Sequence, residues 1–209
     1  MMKPYDGIIF DVDGTLWYSC DKVAKFWSIA ATEYLGRPIH WTRPQLEPLF
    51  GQPMDVFLDT LLPGLTRVQK DELSRSLWDK ENELLVDDPG VLYPGVAETL
   101  RELAKDHRLF IVSNCQKGYI EVVLDSCGLR PYVEGWLCWE DTMERKGVTI
   151  RTLMERFGLQ NAFYVGDTQG DADECAWAGV DFLYAAYGIG TVAHPEAEIH
   201  AFPELLELV

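Results

Sequence analysis

Basic side chains are scarce in this 209-residue chain: 18 Lys+Arg stand against 34 Asp+Glu, a formal net charge of −16. Binding to a phosphate backbone needs a basic face that so few basic residues do not readily supply, which argues against nucleic acid as a partner. Long apolar runs are missing too, none approaching the ~20 residues that span a bilayer. Met1-Met2-Lys3-Pro4 leads directly into the first apolar stretch with no signal-type segment. The expectation is a cytoplasmic protein that uses no membrane. Histidine is limited to His40, His107, His194 and His200, without metal-ligand spacing. The five cysteines, Cys20, Cys115, Cys127, Cys138 and Cys175, are odd in number and scattered, which suggests neither a disulfide framework nor a C-x-x-C metal site and fits reduced thiols. Cys115 reads as a small residue just past a strand. No low-complexity tract and no obligate protein partner is evident, and at 47% hydrophobic and 25% charged the chain has ordinary globular composition.

What the chain does have is Gly7-Ile8-Ile9-Phe10-Asp11-Val12-Asp13-Gly14-Thr15-Leu16. The apolar run Ile8–Phe10 reads as a short buried strand that ends in two carboxylates spaced i, i+2. With Gly14 turning the chain, both can be aimed into one crevice. Two such charges together need a cation or a shared proton.

The pattern then becomes helical. Val23, Phe26, Trp27, Ala30, Ala31 and Tyr34 mark an amphipathic helix ended by Gly36 and Pro38. Short helical pieces follow near 44–50 and 54–61, separated by Gly51-Gln52-Pro53. Thr66-Arg67-Val68-Gln69 has the form of a capping box opening a helix with Leu73, Leu77 and Leu84 on its face. No strand signal is expected between Leu16 and Asp88. From Tyr93 onward strands and helices alternate: strands at 108–112, 136–139, 163–165 and 180–184, and helices after Pro94-Gly95, around Ile120–Leu124, around Ile150–Phe157 and from about Asp171 to Ala178. Such alternation implies an α/β fold, a Rossmann-like parallel sheet with helices on both faces. Residues 1–16 and 89–209 form the expected core domain, and 17–88 an inserted all-helical domain.

In a parallel sheet, ligands bind outside the carboxyl ends of the strands. The residues there are Asp11 and Asp13, then Ser113-Asn114, then Gly166-Asp167-Thr168-Gln169-Gly170-Asp171, with Lys146 opening the helix before the last of these strands. Several carboxylates favour a hard divalent cation, Mg²⁺ bound by carboxylates, phosphate oxygens and water. Ser113, Asn114 and Lys146 could hold and neutralise a phosphoryl group. One carboxylate is left as nucleophile while a neighbour moves protons, which amounts to phosphoryl transfer through an aspartyl-phosphate.

With these motifs in this order, the chain resembles the haloacid dehalogenase superfamily, and within it the helical-cap phosphatase branch that includes phosphoglycolate phosphatase and β-phosphoglucomutase. Tyr93-Pro94-Gly95-Val96 and Tyr187-Gly188-Ile189-Gly190 are similar to that branch as well. The resemblance implies Asp11 as nucleophile and Mg²⁺ ligand, and Asp13 as general acid/base with its backbone carbonyl on the metal. It implies Ser113 and Lys146 on the phosphoryl group, Asp167 as a metal ligand and Asp171 as support for the metal site. Asn114 and Thr15 are expected to assist in substrate binding, and residues 17–88 to form the cap. Superfamily members that cleave carbon–halogen or carbon–phosphorus bonds lack a carboxylate at the position of Asp13, so its presence favours phosphate esters. Many relatives carry Lys-Pro where this chain has Lys146-Gly147.

The leading expectation is a Mg²⁺-dependent phosphatase acting on a small phosphorylated metabolite, phosphoglycolate- or sugar-phosphate-like. A phosphomutase is the alternative within enzymes, and a phospho-accepting switch the alternative outside them. A lid that excludes water argues against the switch. Arg37, Arg43 and Arg67 read as solvated, Trp41 and Trp78 as core, and the Gly51-Gln52-Pro53 loop as a cap segment facing the site.

Overall fold

The computed structural model describes residues 5–52 and 54–209. Its sheet is built from β1 (Gly7–Phe10), β4 (Leu109–Ser113), β5 (Gly135–Cys138), β6 (Ala162–Gly166), β7 (Asp181–Ala185) and β8 (Glu198–Ile199). All neighbouring pairs are parallel, in the order β5-β4-β1-β6-β7-β8. β1, β4 and β6 are buried along their whole length, which is why they read as continuous apolar runs. Ile9, Phe110, Val112, Leu137 and Tyr164 pack with Ile150, Leu153 and Cys175 in one core cluster. Phe10 instead meets Phe202, its ring centroid 5.6 Å away. After β1 the chain builds β4 and β5 on one side and then β6 to β8 on the other. The strand order thus reverses around β1, and the crevice at such a switch point lies beyond its carboxyl end.

The helices of this part are α5 (Val96–Leu103), α6 (Tyr119–Ser126), α7 (Trp139–Thr142), α8 (Lys146–Phe157) and α9 (Gln169–Ala178). Glycines in the left-handed conformation, Gly158 and Gly179, end α8 and α9. Two short strands escaped the sequence reading: β2 (Trp17–Tyr18) and β3 (Val91–Leu92), which pair antiparallel as Trp17↔Leu92 and Tyr18↔Val91. Two residues are too few to establish a period, and the expected helical stretch from Leu16 to Asp88 therefore starts later. β8 and α7 were too short to be recognised for the same reason.

The chain divides into two compact units, one running through Tyr18 and resuming at Val91–Val209, the other Ser19–Gly90. The divisions lie at 18/19 and 90/91, each two residues further along the chain than the 16/17 and 88/89 boundaries expected, and the β2–β3 pair falls within the first unit. The second unit contains α1 (Cys20–Leu35), α2 (Arg43–Leu46), α3 (Met54–Leu61) and α4 (Arg67–Leu85). Gly36 closes α1 with φ +63°, and Thr66 and Gln69 form the capping box of α4. Leu73 and Leu77 are buried on α4, but Leu85 takes the fully buried place expected for Leu84, which is half-buried. Trp41 is buried and Trp78 partly so; buried Trp27 donates its Nε1–H to Glu81 at 2.8 Å. Arg37 is exposed, while Arg43 and Arg67 pair with Glu47 and Asp71 one turn on. Gly51 and Gln52 are exposed, and Pro53 lies outside the described residues. No helix among the described residues is long and apolar enough to cross a membrane.

Candidate active site

At the end of β1, the Asp11 amide donates to the Val165 carbonyl of β6 at 2.9 Å, extending the ladder by one residue. This places the Asp11 side chain, 5% exposed, at the switch point of the sheet. The amides of Thr15, Leu16 and Trp17 then all turn back onto the Val12 carbonyl. Gly14 completes the turn with φ +81°, a conformation costly for any residue with a side chain.

Four charged groups converge there. Lys146, the first residue of α8, donates from Nζ to Asp11 Oδ1 at 3.2 Å and to Asp171 Oδ1 at 2.5 Å, and all three are buried. Asp167 follows β6, and one oxygen each from Asp11, Asp167 and Asp171 lie within 4.8 Å of one another. Three carboxylates and one ammonium leave two negative charges uncompensated, the charge of a single divalent cation. Burial pushes the Asp11 carboxyl up to about 7 against the pull of Lys146, with Asp171 and Asp13 adding to the rise. Burial also raises Asp167 to about 7, with Asp171 and Asp11 contributing. Burial works against the charge on Lys146, but Asp11 and Asp171 outweigh it and hold this lysine well above its ordinary value.

Two of the three carboxylates, Asp171 and Asp167, are fixed from behind. Asp171 Oδ2 accepts from the amide and hydroxyl of Thr168, and the Thr168 hydroxyl in turn accepts from the Asp171 amide, a capping box that starts α9. Asp167 Oδ2 accepts from the amides of Ile189 and Gly190 at 2.9 and 2.8 Å. Its other oxygen, Oδ1, is buried with no hydrogen-bond partner. An orphaned carboxylate oxygen within an all-oxygen cluster fits a hard cation such as Mg²⁺. The backbone is packed tightly around it: a Cβ on Gly14 would lie 2.1 Å from Asp167 Oδ2, and one on Gly188 2.4 Å from Asp167 Cβ.

Asp13 stands beside this cluster without joining it through its side chain. Its Oδ1 accepts from Tyr119 Oη at 2.7 Å and from Trp17 Nε1 at 3.1 Å. Ser113 ends β4 and is buried; Asn114 is exposed, outside the buried group. Thr15 is fully buried, its hydroxyl unpartnered and its carbonyl accepting from Tyr187 Oη at 2.9 Å. Burial pushes the Cys115 thiol well up, as expected of an inert small residue.

The departure at Lys146-Gly147 has a structural reason. The Gly147 amide donates to Glu174 Oε2 at 2.8 Å, which proline could not do, and a Cβ there would meet Trp177 at 2.6 Å. Arg145 points away from the cluster, pairing with Glu174 and lying over the Trp177 ring. Glu174, Thr168, Trp17 and Tyr119 contact the candidate site residues or their neighbours, and the sequence assigns none of them a part. A signal existed for one of them: Thr168 lies three residues before Asp171, the spacing of a cap.

Comparisons with known proteins agree with this architecture. A phosphoglycolate phosphatase from Photorhabdus laumondii is 27% identical over 222 residues, spanning 100% of this chain and 94% of its own. One from Cereibacter sphaeroides is 24% identical over 203 residues, spanning 94% and 90%. The crystal structure of a predicted phosphoglycolate phosphatase from Haemophilus somnus superposes with a TM-score of 0.84 at 22% identity, covering 100% of this chain and 99% of that one. The family model for haloacid dehalogenase-like hydrolases matches residues 8–185, from β1 to the end of β7, and the chain belongs to that family of enzymes.

Proposed function

We propose that this hydrolase is a Mg²⁺-dependent phosphatase that cleaves a small phosphorylated metabolite of the phosphoglycolate or sugar-phosphate kind through an aspartyl-phosphate. The observation that carries the reading is the buried Asp11–Lys146–Asp171–Asp167 group at the tip of the central strand, with Asp13 two residues from the candidate nucleophile. The curated relatives, named as phosphoglycolate phosphatases, support the substrate class. Asp11, Asp167 and the Asp13 backbone carbonyl would hold Mg²⁺, with Asp171 supporting the site; the ion supplies charge neutralisation for the phosphoryl oxygens. Asp11 attacks phosphorus, the ester P–O bond breaks, and Asp13 gives its proton to the departing oxygen. Asp13 then takes a proton from the water that attacks the phosphorus of the aspartyl-phosphate, which releases phosphate and restores Asp11. Lys146 and Ser113 hold the phosphoryl oxygens, Asn114 and Thr15 assist binding, and residues 19–90 act as the cap that excludes water. The free cysteines, Cys20, Cys115, Cys127, Cys138 and Cys175, suit a cytoplasmic setting.

The test is phosphate release from a panel holding 2-phosphoglycolate, sugar phosphates and p-nitrophenyl phosphate. Turnover that needs Mg²⁺, stops with EDTA and falls by at least ~10⁴-fold in Asp11→Asn is the expected result, since removing a nucleophile removes its whole pathway. No turnover across the panel would overturn the proposal. Isomerisation of a sugar phosphate without phosphate release would replace it with a mutase.

A further inference from the structure

We infer that Trp17 and Tyr119 are positioning residues for Asp13, clamping its Oδ1 and so fixing the plane in which the carboxyl is presented. The inference rests on the role given to Asp13 above and adds how that role is enforced. Tyr119 Oη lies 2.7 Å from Asp13 Oδ1 and Trp17 Nε1 3.1 Å from it, while Trp17 Nε1 is also 3.2 Å from Tyr119 Oη. An indole N–H can only donate. The tyrosine hydroxyl accepts from it and spends its own proton on the carboxylate. Oδ1 therefore faces two donors. The pair of hydrogen bonds to Oδ1 sets the plane of the carboxyl.

Both donors are rigid. Trp17 is 0% and Tyr119 2% exposed, and their rings meet edge to face at 5.7 Å and 75°. Trp17 is held by its pairing with Leu92 and by a bridge to Asp13 itself, its carbonyl accepting from the Gly14 amide at 3.0 Å. Tyr119 is the first residue of α6, reached through Gly118 at φ +89°. Two unconnected parts of the chain thus deliver donors to one oxygen, more than packing alone requires.

A proton donor matters most when the leaving group is poor. Wild type, Asp13→Asn, Tyr119→Phe and Trp17→Phe should be compared by kcat/KM over aryl and alkyl phosphates of graded leaving-group pKa, with Tm measured for each. Tyr119→Phe keeps the ring and removes only the oxygen; Trp17→Phe removes the other donor and serves as the second variant should the first fold poorly. The expected result is that Tyr119→Phe loses ~10- to ~100-fold on alkyl phosphates but no more than about 3-fold on p-nitrophenyl phosphate, a fraction of a general acid's usual contribution. Asp13→Asn should show the same tilt, more steeply. If Asp13→Asn tilts and the aromatic variants lose activity uniformly or not at all, the clamp is overturned while the role of Asp13 stands. If Asp13→Asn itself shows no tilt, the role of Asp13 falls first.

Discussion

At the residue scale, the site depends on places where no side chain fits. Gly14 combines φ +81° with an approach to Asp167 that leaves no room for a Cβ. Gly14→Ala should cost about 1–2 kcal/mol from the dihedral alone, and in addition push Asp167 off its two amide donors. The expected outcome is a lower Tm together with a Mg²⁺ activation curve displaced by ~10-fold or more, the range seen when groups supporting a metal ligand are lost. An unchanged activation curve in a folded variant would show that Asp167 does not hold the ion. The sequence made the carboxylates legible because they follow apolar runs, but it could not reveal the Trp17–Tyr119–Asp13 contacts. Those join residues 102 positions apart, and Tyr119 sits beside Ile120 in what reads as an ordinary helix start.

At the scale of elements, capping makes two similar helix starts do different work. Thr66 caps α4 with Gln69, and Thr168 caps α9 with Asp171. Replacing either threonine by alanine should cost ~1 kcal/mol of stability. Thr66→Ala should leave kcat unchanged, whereas Thr168→Ala should lower it, because Asp171 Oδ2 loses a donor at 2.7 Å and the carboxylate that pairs with Lys146 swings more freely. Chemical denaturation and steady-state kinetics on the two variants would check this; equal kinetic effects would sink the distinction. Long periodic helices and full-length buried strands were legible from the sequence, since apolar period and length agreed. The two-residue strands β2, β3 and β8 were not, because their pairing is decided by partners far along the chain and not by their own composition.

At the scale of the whole molecule, charge is the governing quantity. Asp11 and Asp167 both rise from an ordinary carboxylate value to about 7. Without a cation, the folded form therefore binds more protons than the unfolded one between the two values. Their contribution to stability is full below the unfolded value and lost as pH rises through about 7. In EDTA, Tm should fall from pH 5 to pH 8 on this account, and Mg²⁺ should raise Tm far more at pH 8, where the carboxylates are ionised and available to it. Thermal melts at both pH values, with and without Mg²⁺, provide the check; an equal Mg²⁺ effect at the two would remove these carboxylates from the binding site. The net charge of −16 points the same way, since a protein this acidic handles an anionic substrate only where positive charge is concentrated locally.

The pairing of Tyr18 with Val91 has a consequence for how such a chain can be edited. Because these two residues are register partners in an antiparallel ribbon, the chain departs from the sheet-bearing unit and re-enters it at a single point. Ser19–Gly90 is thus spliced into the tip of a β-hairpin. A two-residue Asn-Gly turn would close the same ribbon, so a gene could acquire, exchange or lose the whole helical unit there without altering the register of any strand.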